Sequence, residues 1–196
     1  MNPSWLAVRA LHGKRINGHQ LVAAELPCVF DASITELRRL MRTHQPMLVI
    51  CVGQAGGRSA VSLERVAINV NDARIPDNVD AQPIDTRVVA NGPAAYFSTL
   101  PIKAILQALQ HADVPAEVSQ TAGTFVCNHI FYGLMHMLAT QRGLKKTRGG
   151  FIHVPFLPEQ GAPHLPLEVM VSALRLAVAT ALQTERDIPA GAGAIS

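Results

Sequence analysis

Cysteine is scarce and odd in number, with three in 196 residues at Cys28, Cys51 and Cys127. This excludes a disulfide framework and points to the reducing cytoplasm. The chain also lacks an apolar stretch at its start and any charge-free run of membrane-spanning length, so neither a secretory leader nor a membrane partner is expected. Paired-cysteine and His-Glu-x-x-His spacings are absent, which leaves a metal site without support. No Ser/Gly/Pro-rich linker divides the chain. One domain is therefore expected over residues 1–186, with the small, glycine-rich residues 187–196 as a frayed tail. The formal charge of +3 is spread along the sequence. Its densest basic run, Lys145-Lys-Thr-Arg148, has no interleaved aromatic residues and reads as a solvated turn rather than a nucleic-acid surface.

What is present is a 48% hydrophobic content, enough to bury one substantial core. Asn2-Pro3 has the form of an N-cap with proline at the first helical position, opening a helix through Trp5, Leu6, Val8 and Leu11. A strand is expected over residues 20–26, then a helix capped by Asp31 with Ile34, Leu37, Leu40 and Met41 on its apolar face. Met47–Val52 reads as a buried strand. The glycine-rich turn Gly53–Gly57 follows, then a strand over Val61–Asn71 and an irregular stretch, Asp72–Asn78, long enough to suggest a binding role. Pro101 opens a helix with Ile102, Ile105, Leu106 and Leu109 on one stripe. A short strand over Glu117–Gln120, a helix beginning at Cys127, a strand over Gly150–Val154 and a helix over Leu167–Gln183 complete the pattern. Alternation of this kind implies an α/β layered sheet with ligands at the carboxyl ends of the strands. Such folds usually lead with a strand, and here one is missing.

Cys127 is the most informative residue. In Thr121-Ala-Gly-Thr-Phe-Val-Cys-Asn-His129 a strand-like run turns into a helix whose buried face is Ile130, Phe131, Leu134, Met135 and Leu138. A thiol in the first turn meets unpaired N–H groups and the positive end of the helix dipole, which favour the nucleophilic thiolate. The alternative is a cysteine that merely packs as a small hydrophobe, the role expected of Cys28 and Cys51.

A cysteine nucleophile needs a base, and histidine suits that task. Among eight histidines, His153 alone interrupts an apolar strand near its carboxyl end. It is either the base or a satisfied core histidine. His129 stands two positions along the helix from Cys127 and points elsewhere. The third member of a triad must accept a hydrogen bond from the imidazole, and Glu64 is the candidate, since a carboxylate inside an apolar strand is costly unless paired. Its neighbour Arg65 should point to the opposite face of the strand.

These segments carry a resemblance. Gly53-Gln-Ala-Gly-Gly-Arg58, Glu64-Arg-Val-Ala-Ile-Asn69, Asp72-Ala-Arg-Ile-Pro-Asp-Asn78, the Cys127 segment and Gly149-Gly-Phe-Ile-His-Val-Pro155 resemble the pyroglutamyl peptidase I, or pyrrolidone carboxyl peptidase, family. The likeness extends through Asn91–Tyr96, Leu100–Lys103 and Pro158–Gln160 and back to Asn2–Trp5. It implies a three-layer α/β/α sandwich of the phosphorylase/hydrolase-like kind with a mostly parallel central sheet. It also implies a cofactor-free and metal-free cysteine peptidase that removes N-terminal pyroglutamyl residues through a thioester. On this resemblance Cys127 is the nucleophile, His153 the base and Glu64 the orienting carboxylate. Arg74 would support negative charge beside the site, and Asn2, Gln54 and Phe125 would lie around the lactam pocket. A homo-oligomer, dimer or tetramer, is implied as well.

Family members begin with a strand and a Phe-x-Pro-Phe-Gly-Gly loop ahead of the Asn-Pro-Ser segment, where this chain has Met1. The expected sheet thus lacks its first strand and the loop that walls the pocket. The alternative function is a truncated, non-catalytic α/β remnant. A third reading, nucleoside or phosphate binding at Gly53–Gly57, lacks a P-loop lysine and the dinucleotide fingerprint.

Overall fold

The computed structural model describes residues 2–193. Asn2 caps α1 (Pro3–Arg9) by accepting the Ser4 N–H at 3.0 Å, with Pro3 at the first helical position as expected. The strand expected over residues 20–26 does not form. Instead β1 (Arg15–Ile16) and β2 (His19–Gln20) make a two-residue hairpin. Its turn, Asn17-Gly18, has both φ angles positive, so turn chemistry confines the pairing to these few residues. Helix α2 (Ala32–His44) starts where expected, but Asp31 makes no side-chain cap.

β3 (Leu48–Gln54) runs through the first residues of the glycine-rich turn, and the strand expected to be buried is half-buried apart from Cys51 and Gly53, because it stands at a sheet edge. The single strand expected over Val61–Asn71 is two, β4 (Val61–Glu64) and β5 (Val66–Ile68), in different sheets. Arg65 is the point of exchange: its N–H bonds the Ser119 carbonyl at 2.9 Å while its own carbonyl accepts from Ser98 at 2.9 Å. The partner of β5 is β6 (Ala95–Phe97), a strand that the sequence pattern did not reveal.

Then come α3 (Ile102–His111), β7 (Ala116–Ser119), α4 (Val126–Thr140), β8 (Arg148–Val154) and α5 (Leu167–Gln183). Arg148 corrects the solvated-turn reading of the basic run. It is the first residue of β8, and its guanidinium donates to the Ala181 and Thr184 carbonyls at the end of α5, where the helix dipole favours a cation. No side chain within α3 caps its start. Asp187 does so from afar, accepting the N–H groups of Lys103 at 3.0 Å and Ala104 at 2.9 Å. The Ala192 carbonyl accepts from Arg65 at 3.3 Å, so the segment expected to fray is tied to the body at two points. Residues 194–196 lie outside the described residues.

The central sheet has the order β3-β8-β4-β7, with β3 parallel to β8, β4 parallel to β7 and β4 antiparallel to β8. It is a mostly parallel sheet with helices on both sides. Strand side chains alternate between faces. Val61, Leu63, Ile152 and Val154 face one cluster with the apolar stripes of α1, α3 and α5. Cys51 and Phe151 face the other with Leu37, Met41, Phe131 and Leu134 of α2 and α4. The same alternation assigns Glu64 and His153 to the α4 side, because each stands two residues from, or opposite, Phe151. Within the described residues β3 is one edge of this sheet. No described helix is long and apolar enough to cross a membrane.

Candidate active site

Three segments converge on the α4 side of the sheet. Strand β4 carries Glu64, which has no exposed surface, and β8 carries His153, which is 3% exposed. The Glu64 Oε1 lies 2.7 Å from the His153 Nδ1. A carboxylate oxygen accepts, so Nδ1 carries the proton and, in the neutral ring, Nε2 keeps a free lone pair. Sequence reasoning left a core histidine open for His153. The geometry makes it a histidine held by a buried carboxylate in one tautomer.

Glu64 accepts a second donor on the same oxygen, Nη1 of Arg58 at 2.6 Å. Arg65, the neighbour considered first, makes no bond to it and instead reaches Ala192. Sequence reasoning missed Arg58. The signal was present, because a buried carboxylate requires a cation and the glycine-rich turn ends in one.

Cys127 is the second residue of α4, and no side chain caps that helix, so its first amides remain free of a side-chain acceptor. Its sulfur rests against Gly53: a Cβ placed on Gly53 would meet Sγ at 2.9 Å and the Phe151 ring at 2.9 Å. Gly53 and His153 are register partners in the parallel pair β3 and β8. The Phe151 and His153 rings are 4.8 Å apart. The thiol, the imidazole and the carboxylate are therefore gathered on one face, around Gly53 and Phe151.

The thiol's acidity runs opposite to the sequence expectation. Burial pushes the Cys127 thiol up to about 12, with further contributions from Cys28 and Glu64 and only Arg58 opposing. Desolvation is the largest cause, and it disfavours the charged form of the sulfur. Cys51, buried as expected of a packing thiol, is raised to about 12; Cys28 is exposed rather than packed as a small hydrophobe, because it lies in the loop before α2, and it is raised by partial desolvation and by Asp77. All three are free.

The residue after the nucleophile candidate is stitched to β5. Asn128 accepts the Ile68 N–H at 3.0 Å and donates to the carbonyls of Ile68 and Val70, each at 2.9 Å. His129 lies away from the site, as its place on the helix predicts: its Nδ1 faces the Asn71 Oδ1 at 2.9 Å and its Nε2 accepts the Asp31 N–H at 3.0 Å. Burial lowers its basicity, against the pull of Asp31.

The remaining site candidates are less gathered. Phe125 stands at the head of α4 and packs edge-on against Phe30, with centroids 5.4 Å apart. Gln54 ends β3 and accepts a long bond of 3.4 Å from Gln160. Arg74 is exposed in the irregular loop, which is clasped to the segment before α4 by paired bonds between Asp72 and Thr124. The Asn2 side chain is engaged by Ser4 in the α1 cap. Among the described residues no group of histidine, cysteine and acidic side chains could hold a metal ion.

A family model described as pyroglutamyl peptidase matches residues 1–184. The chain belongs to that family. A pyrrolidone-carboxylate peptidase from Cupriavidus taiwanensis is 61% identical over 193 residues, covering 96% of this chain and 89% of that protein. One from Bacillus cytotoxicus is 52% identical over the same shares. Among solved structures, the pyroglutamyl peptidase I of Bacillus amyloliquefaciens superposes with a TM-score of 0.95 at 48% identity, covering 97% of this chain and 92% of that one. A mutant pyrrolidone carboxyl peptidase from P. furiosus gives 0.89 at 38% identity, covering 93% and 91%. The α/β fold with a mostly parallel sheet is the fold of these peptidases. As a member of the family, the chain is a hydrolase of the cysteine type.

Proposed function

We infer that this chain removes N-terminal pyroglutamyl residues from peptides, with Cys127 as nucleophile, His153 as general base and acid, and Glu64 as the carboxylate that orients it. The observation that carries the reading is the 2.7 Å bond between the buried Glu64 and the His153 Nδ1 on the sheet face that meets Cys127. That bond leaves Nε2 as the atom able to take a proton. The thiol proton passes to Nε2 as sulfur attacks the carbonyl that follows the lactam ring. Glu64 steadies the imidazolium. Developing negative charge on the carbonyl oxygen is met by the Cys127 N–H at the uncapped head of α4, with Arg74 in support. The imidazolium then protonates the departing amine, and water, activated by the same ring, cleaves the thioester.

The lactam is neutral, so apolar walls with a few hydrogen-bonding groups suit it. Phe125, Gln54 and Asn2 are proposed around it. The non-catalytic remnant is the less favoured reading, since a buried charged cluster costs several kcal/mol to keep. We further propose a cytoplasmic homo-oligomer, dimer or tetramer, on the resemblance and the free thiols.

Hydrolysis of a chromogenic pyroglutamyl anilide tests the assignment. Cys127→Ser should lower turnover by about three orders of magnitude or more. Glu64→Gln should lower kcat with little change in KM. Turnover that survives Cys127→Ser would refute the reading.

A further inference from the structure

Glu64 presents an uneven set of partners. Its Oε1 receives both Arg58 Nη1 at 2.6 Å and His153 Nδ1 at 2.7 Å, while its Oε2 is buried with no hydrogen-bond partner among the described residues. A carboxylate with no exposed surface and only a neutral imidazole beside it would have lost its solvation with little to replace it. The Arg58 guanidinium supplies the missing charge.

Arg58 also reaches a second segment. Its Nη2 donates to the Thr121 carbonyl at 3.0 Å, in the stretch that leads into α4 and Cys127. The turn that carries Arg58 begins at Gly53, against which the sulfur rests. One planar fork thus joins the glycine-rich turn, strand β4 and the approach to the nucleophile. Lysine has the charge but not the fork. Arg58 is also the group whose charge favours the Cys127 thiolate, offsetting that of Glu64.

We propose that Arg58 is a positioning residue of the catalytic site, fixing the Glu64 carboxylate in the orientation that receives the His153 Nδ1–H and holding it in register with the segment leading to Cys127. The inference rests on the reading of Glu64, Cys127 and His153 given above. It acts through Glu64, not on substrate. Its removal should therefore change turnover and not binding.

The test compares wild type, Arg58→Ala and Arg58→Lys on a pyroglutamyl anilide, alongside proton NMR of the His153 Nδ1–H in substrate-free protein, with Glu64→Gln to identify that resonance. Arg58→Ala should lower kcat by about a hundredfold, the scale expected when a buried charge loses its partner, with KM within about threefold of wild type. Guanidinium ion at low, non-denaturing concentration should restore about a tenth of the lost turnover, and the resonance should broaden or vanish without it. Arg58→Lys should fall between the two. Wild-type kcat in Arg58→Ala, a loss confined to KM, or an unchanged Nδ1–H signal would each overturn the proposal. If Arg58→Ala does not fold, Arg58→Lys decides alone: wild-type turnover and an unaltered resonance would overturn it. Because the NMR arm needs no substrate, a wild type that fails to cleave the anilide would sink the peptidase reading and leave this inference testable.

Discussion

Gly53 and Cys127 touch across two elements: the space a Cβ would take on Gly53 is occupied by the Cys127 sulfur and the edge of the Phe151 ring, each 2.9 Å away. Cβ atoms do not sit that close to other heavy atoms, so something must shift if one is added. The helix that carries Cys127 is held from behind by Asn128, and Phe151 is 2% exposed within the core, so neither gives easily.

Gly53→Ala should therefore displace the sulfur relative to the His153 ring, its register partner's side chain. Misplacing a nucleophile by a fraction of an ångström costs on the order of a hundredfold or less in rate. The expected outcome is a kcat lowered by about ten- to a hundredfold, with a stability loss of about 1–3 kcal/mol from overpacking. Steady-state kinetics and a urea melt measure both. Wild-type kcat in a folded Gly53→Ala protein would show that the contact does not set the sulfur's place.

The acidity of Cys127 makes a second prediction. With the thiol pushed up to about 12 by burial, iodoacetamide labelling of Cys127 in the substrate-free protein should be slow near neutral pH. It should keep rising beyond about pH 10, where an ordinary thiol has nearly levelled off. Cys51 is raised to about 12 as well. In both cases the folded-state value lies above the unfolded one. The stabilisation is complete below about pH 9 and is lost as pH climbs toward 12. Thermal melts should therefore fall across that window, and Cys51→Val should flatten the fall. Rapid labelling of Cys127 at pH 7 would contradict the assigned desolvation.

Most of the candidate site was legible in the sequence because its chemistry is costly to bury. Glu64 and His153 stood out as polar residues within apolar strands, while their common face toward α4 depends on the β4–β8 register, which local sequence does not show. Helix α4, with Cys127 in its first turn, could be located because its buried positions follow the 3.6-residue period. What escaped was whatever depends on distant partners. Val61–Asn71 reads as one strand, since nothing local shows that Arg65 exchanges Ser119 for Ser98. Asp187 looks like the start of a loose tail until α3, far away in sequence, presents its free amides. The desolvation of the Cys127 thiol escaped for the same reason. A helix start is a local feature, but desolvation is the sum of everything packed around the sulfur.

The middle of the irregular loop after β5 is organised around Asp77. Its Oδ2 accepts the Phe30 N–H at 2.8 Å, and its Oδ1 accepts those of Val79 at 2.9 Å and Ala81 at 3.0 Å. Burial would raise its carboxyl, yet these three backbone donors hold it below the usual range. A lowered folded-state value means that the stabilisation is present above the unfolded value near 4 and is lost as pH falls through the folded one. Asp77→Asn keeps the shape but replaces one accepting oxygen with a donor, leaving at least one backbone N–H opposed. Phe30 is the residue so anchored, and its ring packs edge-on against both Phe125 and His129. Loosening it should move the Phe125 side of the proposed lactam pocket while leaving Glu64, His153 and Cys127 in place. Asp77→Asn is thus expected to raise KM for a pyroglutamyl anilide by about tenfold, the scale of one lost charge-assisted bond, with kcat within about threefold and a weakened acid-side dependence of stability. A fall in kcat at unchanged KM would instead tie this loop to the reacting atoms and detach Phe30 from the pocket.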